Sequence, residues 1–200
     1  LIPRFPHYRS PDHPVRPVDD CRWNQLNACT GLRESIACEN CDFPARVARM
    51  FTSLLGLIPM LSGTDDLSKA FRQVPVAQPE FNVVALWDPS SQEVRTFVIH
   101  GCVFGALSSV HHFNRLSRFL ASVARRFGGI AVGPYFDDFC VTEPSLSAHS
   151  AQHLFLAITR LLGFRLDPKK HVRASPASAF LGVITDFSSI TLGYVVLRVK

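Results

Sequence analysis

Apolar side chains recur with a helical spacing in three parts of the chain. Residues 43–51, 108–127 and 151–162 each place apolar positions three to four residues apart, and this spacing lines up one face of an α-helix. Gly128-Gly129 stops the second run, as glycines after a helix commonly do. The pattern therefore predicts three amphipathic helices, each with one face packed inward.

Shorter runs rich in β-branched and aromatic residues predict strands. Two of these runs flank the turn-forming Asp88-Pro89-Ser90-Ser91, so we expect them to pair as an antiparallel hairpin. Helices between and after antiparallel strands indicate an α+β fold. The predicted strands cover residues 81–87, 96–100, 130–132, 139–141 and 180–184.

The two ends of the chain differ from its middle. Residues 1–20 hold five of the fourteen prolines, which predicts extended, irregular backbone, with an arm over residues 1–15. Residues 187–200 are expected to begin a C-terminal extension or thumb. The chain starts without Met and ends in an apolar run, so we expect it to be a segment of a longer protein.

Composition narrows the class of protein. Hydrophobic residues make up 47% and charged residues 18% of the 200 residues, which favours a packed globular domain over a disordered chain. The formal net charge is +5, and Arg outnumbers Lys, a bias that suits contacts with phosphate. No apolar run reaches the roughly 18 residues of a membrane span, and the N-terminal residues lack the basic-then-apolar order of a signal peptide. These features predict an intracellular protein, cytoplasmic or nuclear and not secreted, with no membrane partner.

Two small clusters have metal-ligand spacing but no completing partners. Cys38 and Cys41 form a CxxC pair, and His149 and His153 lie four residues apart on a predicted helix. Each is half of a zinc site by spacing. No further ligand follows at the usual distance, so ordinary thiols and a solvated helix face are the favoured interpretations.

A different arrangement of charges marks the hairpin at residues 133–140. Asp137 and Asp138 stand side by side between aromatic residues, and adjacent carboxylates repel each other and resist burial unless a cation joins them. Asp66 ends another apolar run and supplies a third carboxylate. Three such oxygen ligands suit two Mg²⁺ ions, with Mn²⁺ as a substitute, and indicate phosphoryl or nucleotidyl transfer. Paired aspartates also occur in turns and helix caps, so each pair alone stays open to a purely structural interpretation.

The order of several motifs adds a family resemblance. Tyr135-Phe136-Asp137-Asp138 looks like the YxDD signature of reverse transcriptases, and the chain resembles those of retroelements in particular. Five further segments resemble that family's motifs in the same order along the chain. These are Arg16 to Asp20 with Leu26-Asn27, Asp66 to Phe71, Phe104 to Arg115, Leu162-Gly163-Phe164 with Asp167 to Lys170, and Phe180 to Val183.

The resemblance implies a polymerase palm, an antiparallel sheet backed by helices, with partial fingers over residues 16–186. It also implies RNA-directed DNA polymerase activity, in which a primer 3′-hydroxyl on an RNA or DNA template attacks a dNTP. Two alternatives remain: a catalytically inactive, domesticated or decaying retroelement fragment that binds nucleic acid or protein, and an RNA-dependent RNA polymerase. An isolated fragment of this length is also open to being inactive.

The resemblance further implies a role for each matched residue. Asp66 and Asp137 would bind the metal ions, with Asp138 in support, and Lys170 would neutralise or protonate the leaving pyrophosphate. Phe71 would exclude a ribose 2′-hydroxyl and so favour dNTP. The remaining roles are triphosphate binding by Arg16, contact with the nucleotide and template base by Phe104 and Gly105, and a primer grip formed by Phe180, Leu181 and Gly182.

Overall fold

The computed structural model describes residues 2–7 and 16–200, apart from the side chains of Pro6 and Arg16. The chain divides into two compact units. The first unit comprises Leu1–Ile36 and Lys69–Asn114, and the second comprises Ala37–Ser68 and Arg115–Lys200. The predicted boundaries after residues 15 and 186 do not coincide with this division and stay predictions.

Within the described residues the chain forms three α-helices and eleven strands. The helices are α1 (Phe43–Leu55), α2 (Leu107–Gly128) and α3 (Ser150–Leu161). The first seven strands are β1 (Ile2–His7), β2 (Arg16–Asp19), β3 (Met60–Asp66), β4 (Val83–Asp88), β5 (Glu93–Val98), β6 (Val132–Tyr135) and β7 (Asp138–Pro144). The last four are β8 (Val172–Ser175), β9 (Ala177–Phe180), β10 (Val183–Asp186) and β11 (Val196–Val199).

The first unit is built on a four-stranded sheet in the order β2-β1-β4-β5. β1 pairs antiparallel with β2 and parallel with β4, and β4 pairs antiparallel with β5. Ile2 and Val84, which are opposite each other on β1 and β4, are both buried in the core of this unit. Strand β1 corrects the predicted arm: residues 1–20 are not irregular throughout, because sheet pairing satisfies the backbone of Ile2–His7.

The second unit contains an antiparallel sheet in the order β6-β7-β3-β8. Neighbouring residues of β7 point to opposite faces of this sheet, as in any strand. Phe139 packs on Phe155 of α3 with ring centroids 5.1 Å apart, and Cys140 packs with Phe43 and Val47 of α1. The sheet therefore has α3 on one face and α1 on the other, and both helices shield its central strand.

A smaller antiparallel sheet, in the order β11-β10-β9, completes the second unit. The prediction of one strand over residues 180–184 is wrong, since β9 and β10 are separate strands of a hairpin. Leu181 and Gly182 form its turn with φ angles of 50° and 79°. Positive φ at both turn residues matches the twist of a two-residue hairpin, but Leu is not a residue that signals such a turn.

The other predicted elements are present with shifted ends, although the strand predicted over residues 130–132 shares only Val132 with β6. The helices are those that the apolar spacing predicts, and α1 extends four residues beyond its predicted end to Leu55. The hairpin of β4 and β5 has the predicted antiparallel pairing. The fold is therefore mixed α and β with antiparallel sheets, as the α+β prediction requires.

Candidate metal centre

The pairing of β3 with β7 brings the three predicted metal ligands together. In this register Asp66 lies directly opposite Asp138, so the two side chains share one face of the sheet. Asp137 occupies the turn between β6 and β7, next to Asp138. One ligand oxygen from each of the three carboxylates lies within 4.8 Å of the other two. Carboxylates that are 71 positions apart in the sequence thus form a single cluster.

Hydrogen bonds from neighbouring elements hold the turn that carries Asp137. Phe136 adopts a left-handed φ of 50°, a conformation that costs free energy for a bulky residue and needs support from its surroundings. The buried hydroxyl of Ser117 donates to the Phe136 carbonyl at 2.6 Å. The Leu67 amide donates to the Asp137 carbonyl at 2.9 Å. The position of Asp137 is therefore set by α2 and by the end of β3.

The cluster is electrostatically unfavourable without a cation. Asp66 is only 5% exposed, and Asp137 and Asp138 are half-buried. Burial, a hydrogen bond with Asp66 and the negative charge of Asp137 raise the pKa of Asp138 from 3.8 to about 7. A carboxyl group with such a pKa is resisting ionisation among like charges, and a bound cation would remove that resistance.

Lys170 supplies one positive charge to the cluster. Its Nζ lies 2.7 Å from Oδ2 of Asp66, although 54% of the lysine side chain is exposed. Partial burial alone would lower the pKa of Lys170, but the Asp66 hydrogen bond and the charges of all three aspartates raise it. One ammonium does not balance three carboxylates, so the cluster keeps a net negative charge when all three are ionised.

The donor set fits Mg²⁺ or Mn²⁺. All three side chains offer hard carboxylate oxygens, and this group contains no thiolate or imidazole, whereas zinc sites are usually built with such softer ligands. Mg²⁺ is commonly bound by one or two carboxylates together with substrate phosphates. The cluster could therefore hold a metal ion with positions left for a substrate.

Asp65, the neighbour of Asp66 on β3, faces the other side of the sheet and has a different environment. Its carboxylate is 1% exposed, with Oδ1 2.7 Å from Nδ1 of His171 and Oδ2 accepting from Nε2 of Gln152 at 3.0 Å. Gln152 also bonds the backbone of Val172 and Ala174 in β8. The sequence analysis missed Asp65, His171 and Gln152. The alternation of side chains along a strand predicts that Asp65 and Asp66 face opposite sides of the sheet. Only the fold shows which residues Asp65 contacts.

The predicted nucleotide-contacting residues Phe71, Phe104 and Gly105 belong to the first unit. Phe71 lies edge-on to Phe104 with centroids 5.5 Å apart, and its centroid is 4.8 Å from that of Phe113. Gly105 has φ of 104°, and a Cβ there would collide with the Asp19 carbonyl oxygen. The ring of Phe71 is thus held by two aromatic neighbours, and position 105 requires glycine.

The same unit contains hydrogen bonds and ion pairs that the sequence does not indicate. The Asn27 side chain donates to the Gly105 carbonyl at 3.0 Å and accepts from the Leu107 amide at 2.8 Å. Buried Asp19 bonds Arg4 at 2.5 Å and Arg72 at 3.3 Å.

Arg16 lies on β2, and its side chain is outside the described residues. Its role in triphosphate binding stays a prediction.

The residues of the predicted primer grip form the end of β9 and the turn to β10. Phe180 is 3% exposed and packs with Phe43, Val47 and Cys140, with Leu181 against the same cluster. Gly182 is exposed at the turn. Phe180 is thus a core residue of the second unit, and contact of this turn with a primer stays a prediction.

Known proteins resemble this chain in fold, whereas its sequence has no match among family models and curated proteins. No protein-family model and no curated protein matches the sequence of the chain. Solved structures do match its fold, and protease-reverse transcriptases are among them. At identities near 20% this likeness concerns the fold alone. The chain has a reverse-transcriptase-like fold.

The solved structures that resemble this chain include three of the foamy viral protease-reverse transcriptase. The protease-reverse transcriptase in complex with dsDNA matches with a TM-score of 0.64 and 20% identity, over 92% of this chain and 35% of that chain. A dRH form with ds DNA gives 0.65 and 19%, over 94% and 30%. The complex with an RNA/DNA hybrid gives 0.64 and 18%, over 94% and 22%. The chain therefore spans about a third or less of the length of these neighbours.

Across residues 2–7 and 16–200, no helix combines the length and the hydropathy that crossing a bilayer requires.

Proposed function

We propose that the chain forms the palm and part of the fingers of an RNA-directed DNA polymerase. In this proposal a primer 3′-hydroxyl, paired to an RNA or DNA template, attacks the α-phosphate of a dNTP and releases pyrophosphate. The observation that carries the proposal is the cluster of Asp66, Asp137 and Asp138 on a reverse-transcriptase-like fold. Carboxylate clusters of this kind suit metal-dependent displacement at phosphorus.

The three aspartates would hold two divalent ions at the end of β3 and the turn before β7. When bound, these ions would stabilise negative charge on the attacking and leaving oxygens. The chain's own contribution is geometric: Ser117 and Leu67 fix the turn of Asp137, and strand pairing fixes Asp66 against Asp138. A preformed site lowers the cost of reorganisation during the reaction.

Lys170 is the residue of the second unit that we assign to the leaving group. Its ammonium lies at the carboxylate cluster, 2.7 Å from Asp66, and its pKa is raised, so it carries a full positive charge at neutral pH. A charged ammonium there can pair with pyrophosphate oxygens as charge develops on them. Its role is therefore electrostatic, with proton donation as an additional route.

The residues that contact the incoming nucleotide are assigned from the family resemblance. We assign triphosphate binding to Arg16, contact with the nucleotide and template base to Phe104 and Gly105, and exclusion of the 2′-hydroxyl to Phe71. The two aromatic contacts of Phe71 support a rigid ring, which is what steric exclusion requires. Phe71→Ala should then increase incorporation of NTP relative to dNTP, and an unchanged ratio would contradict this assignment.

Nucleic acid as the partner is supported by charge and by the neighbours. The chain has a formal net charge of +5, and basic proteins bind the phosphate backbone. The foamy viral structures were solved with dsDNA and with an RNA/DNA hybrid. We assign the hairpin turn of Phe180, Leu181 and Gly182 to the primer strand on the resemblance alone.

Primer extension by the full-length polypeptide tests the proposal. A labelled primer annealed to an RNA or a DNA template is incubated with dNTPs and Mg²⁺. We expect extension on both templates, loss of extension with EDTA, and loss in Asp137→Asn. Asp186→Asn is the matched control, because Asp186 is an aspartate outside the cluster that pairs with Arg198 at 3.0 Å.

Two results would contradict the proposal. One is equal extension by Asp137→Asn and the unsubstituted protein. The other is tight, metal-independent binding of primer and template without any extension, and this would support the alternative of a non-catalytic nucleic-acid-binding fragment. The positive net charge is the observation that keeps this alternative open.

A further inference from the structure

Two adjacent carboxylates at the end of β3 hold two adjacent side chains that precede β8. Asp66 Oδ2 lies 2.7 Å from Nζ of Lys170, and Asp65 Oδ1 lies 2.7 Å from Nδ1 of His171. Because neighbouring residues of a strand face opposite ways, these pairs lie on opposite faces of the sheet. The Lys170 pair belongs to the candidate metal centre, and the His171 pair lies on the other face of the sheet.

The His171 pair is the better fixed of the two. Asp65 and Gln152 are each 1% exposed, and both oxygens of the Asp65 carboxylate have a partner. Gln152 links this carboxylate to Val172 and Ala174 through a total of three hydrogen bonds of 2.9 to 3.0 Å. Asp65 and Gln152 are buried and satisfied, which makes their contact rigid, and the His171 side chain, 36% exposed, joins them through Nδ1. His171 is consequently anchored at the start of β8.

Lys170 has none of this rigidity on its own. Its side chain is long and half-exposed, and such a side chain samples many rotamers. Its backbone, however, lies in a short turn that is tied at both ends. The Asp167 amide donates to the Asp66 carbonyl at 2.8 Å before it, and the pair of Asp65 with His171 follows it. These two ties leave the Cα of Lys170 little freedom.

We propose that His171, held by Asp65 and Gln152, is a positioning residue that fixes the backbone of Lys170 at the metal centre. From that position the ammonium reaches Asp66 and, during nucleotidyl transfer, the leaving pyrophosphate. The part that concerns pyrophosphate rests on the proposed function, whereas the part that concerns Asp66 does not. His171 itself does not contact the reacting atoms.

A double-substitution cycle tests the kinetic part. The rate of primer extension at saturating dNTP is compared for the full-length protein, His171→Ala, Lys170→Met and the double variant. We expect His171→Ala to slow extension by about 10–100-fold, the usual effect of removing a group that orients a ligand. In the Lys170→Met background, the same change should cost less than about twofold, because its effect passes through Lys170.

Two controls separate positioning from general damage. His171→Asn keeps a side-chain nitrogen near the position of Nδ1 and should restore most of the rate. His153→Ala alters an exposed histidine on α3 and should leave the rate unchanged. Equal slowing by His171→Ala with and without Lys170 would overturn the kinetic part.

Metal affinity provides a readout that needs no polymerase activity. A divalent ion on Asp66 Oδ2 competes with the Lys170 ammonium for that oxygen, so Lys170→Met should tighten Mn²⁺ binding by about two- to fivefold, the range of a partly exposed ion pair. His171→Ala should also tighten Mn²⁺ binding, measured by electron paramagnetic resonance, but only when Lys170 is present. A His171→Ala effect that is absent, or that persists without Lys170, would overturn the positioning role.

The two readouts also separate this inference from the proposed function. Coupled Mn²⁺ affinities in a protein that does not extend primers would support positioning and reject the polymerase. Primer extension that depends on Asp137, together with independent effects of His171 and Lys170 on Mn²⁺ affinity, would support the polymerase and reject the positioning role of His171.

Discussion

The two faces of β3 carry neighbouring aspartates with opposite surroundings. Asp65 is buried among donors: His171 and Gln152 satisfy both of its oxygens. Asp66 is buried among acceptors: its closest acidic neighbours are Asp137 and Asp138, and one exposed lysine is its only cation that the structure identifies among the described residues. The same residue type, one position apart, is thus stabilised on one face and destabilised on the other.

This difference separates a carboxylate that is satisfied within the fold from one whose surroundings suit the binding of a cation. A buried charge costs free energy unless partners satisfy it, so Asp65 is explained by the fold alone. The cluster around Asp66 is not, because folding brings like charges together and raises the pKa of Asp138 to about 7. Perturbation of this kind is typical of sites that bind a ligand or a metal.

The largest expected effect comes from exchanging Asp66 for Asn. This change removes a proposed metal ligand without altering the shape of the side chain, so primer extension should fall by about 10³-fold or more, equivalent to about 4 kcal/mol in the activation free energy. Thermal unfolding in EDTA should be unchanged or shifted upward, because one like charge is lost. Undiminished extension would remove Asp66 from the metal centre.

Asp65→Ala should give the opposite pattern, a loss of stability. It leaves His171 and Gln152 without their shared acceptor, and a broken buried pair costs about 2–4 kcal/mol in the free energy of unfolding. Urea denaturation followed by circular dichroism measures this change. Asp65→Asn is the control, since an amide oxygen can still accept one hydrogen bond. Equal stability of Asp65→Ala and the unsubstituted chain would mean that the network does not support the fold.

Asp138→Asn should stabilise the chain when EDTA removes metal ions. Because the folded-state pKa of Asp138 is raised from 3.8 to about 7, folding favours its protonated form, and the stability of the unsubstituted chain falls as pH rises through that window. The advantage of the Asn variant should grow over the same window to about 1–3 kcal/mol, since partial exposure reduces the full linkage value. Denaturation at several pH values checks this, and a constant difference would contradict it.

The smallest effect is expected at Glu39, a surface carboxylate that resembles Asp65 in having donor partners. It accepts from Arg46 at 2.5 Å and from Arg125 at 2.9 Å. Partial burial alone would raise the pKa of Glu39, but these two arginines outweigh it and lower the pKa below 4.5.

Glu39→Gln should therefore cost less than about 1 kcal/mol at neutral pH, the usual range for exposed ion pairs. The difference from the unsubstituted chain should shrink as pH falls below 4.5 and through the lowered pKa, because a depressed carboxyl pKa stabilises only the ionised form. High salt should shrink it as well. A larger loss in the free energy of unfolding that does not change with salt concentration would indicate a structural role for Glu39 beyond its charge.

The elements that the sequence predicted well are those in which local pattern and fold agree. The apolar face of α2 recurs over 22 residues, long enough for periodicity to outweigh single exceptions. The hairpin of β9 and β10 was mistaken for one strand because its turn uses Leu181-Gly182, and Leu at positive φ is not a turn signal. Strand β1 contains two prolines, and one of its two partners, β4, lies about 80 residues further along the chain.

For the candidate site, motif order in the sequence indicated Lys170 and the three aspartates that the fold brings together. It did not identify Ser117, whose hydroxyl holds the Asp137 turn, or Asn27, which ties residues 105 and 107. Single polar residues on helices and loops have no distinguishing pattern. Their roles depend on which backbone groups the fold brings within hydrogen-bond distance.

The sequence by itself determined the helices, most of the strands and the residue types of a metal centre, because periodicity and charge are local properties of a chain. Only the tertiary structure decided that Asp66 faces two carboxylates while Asp65 faces a histidine and an amide. The physical reason is that strand register and alternation assign partners across long sequence separations. Those partners, rather than the aspartates themselves, determine which carboxylate is satisfied by the fold and which still needs a cation.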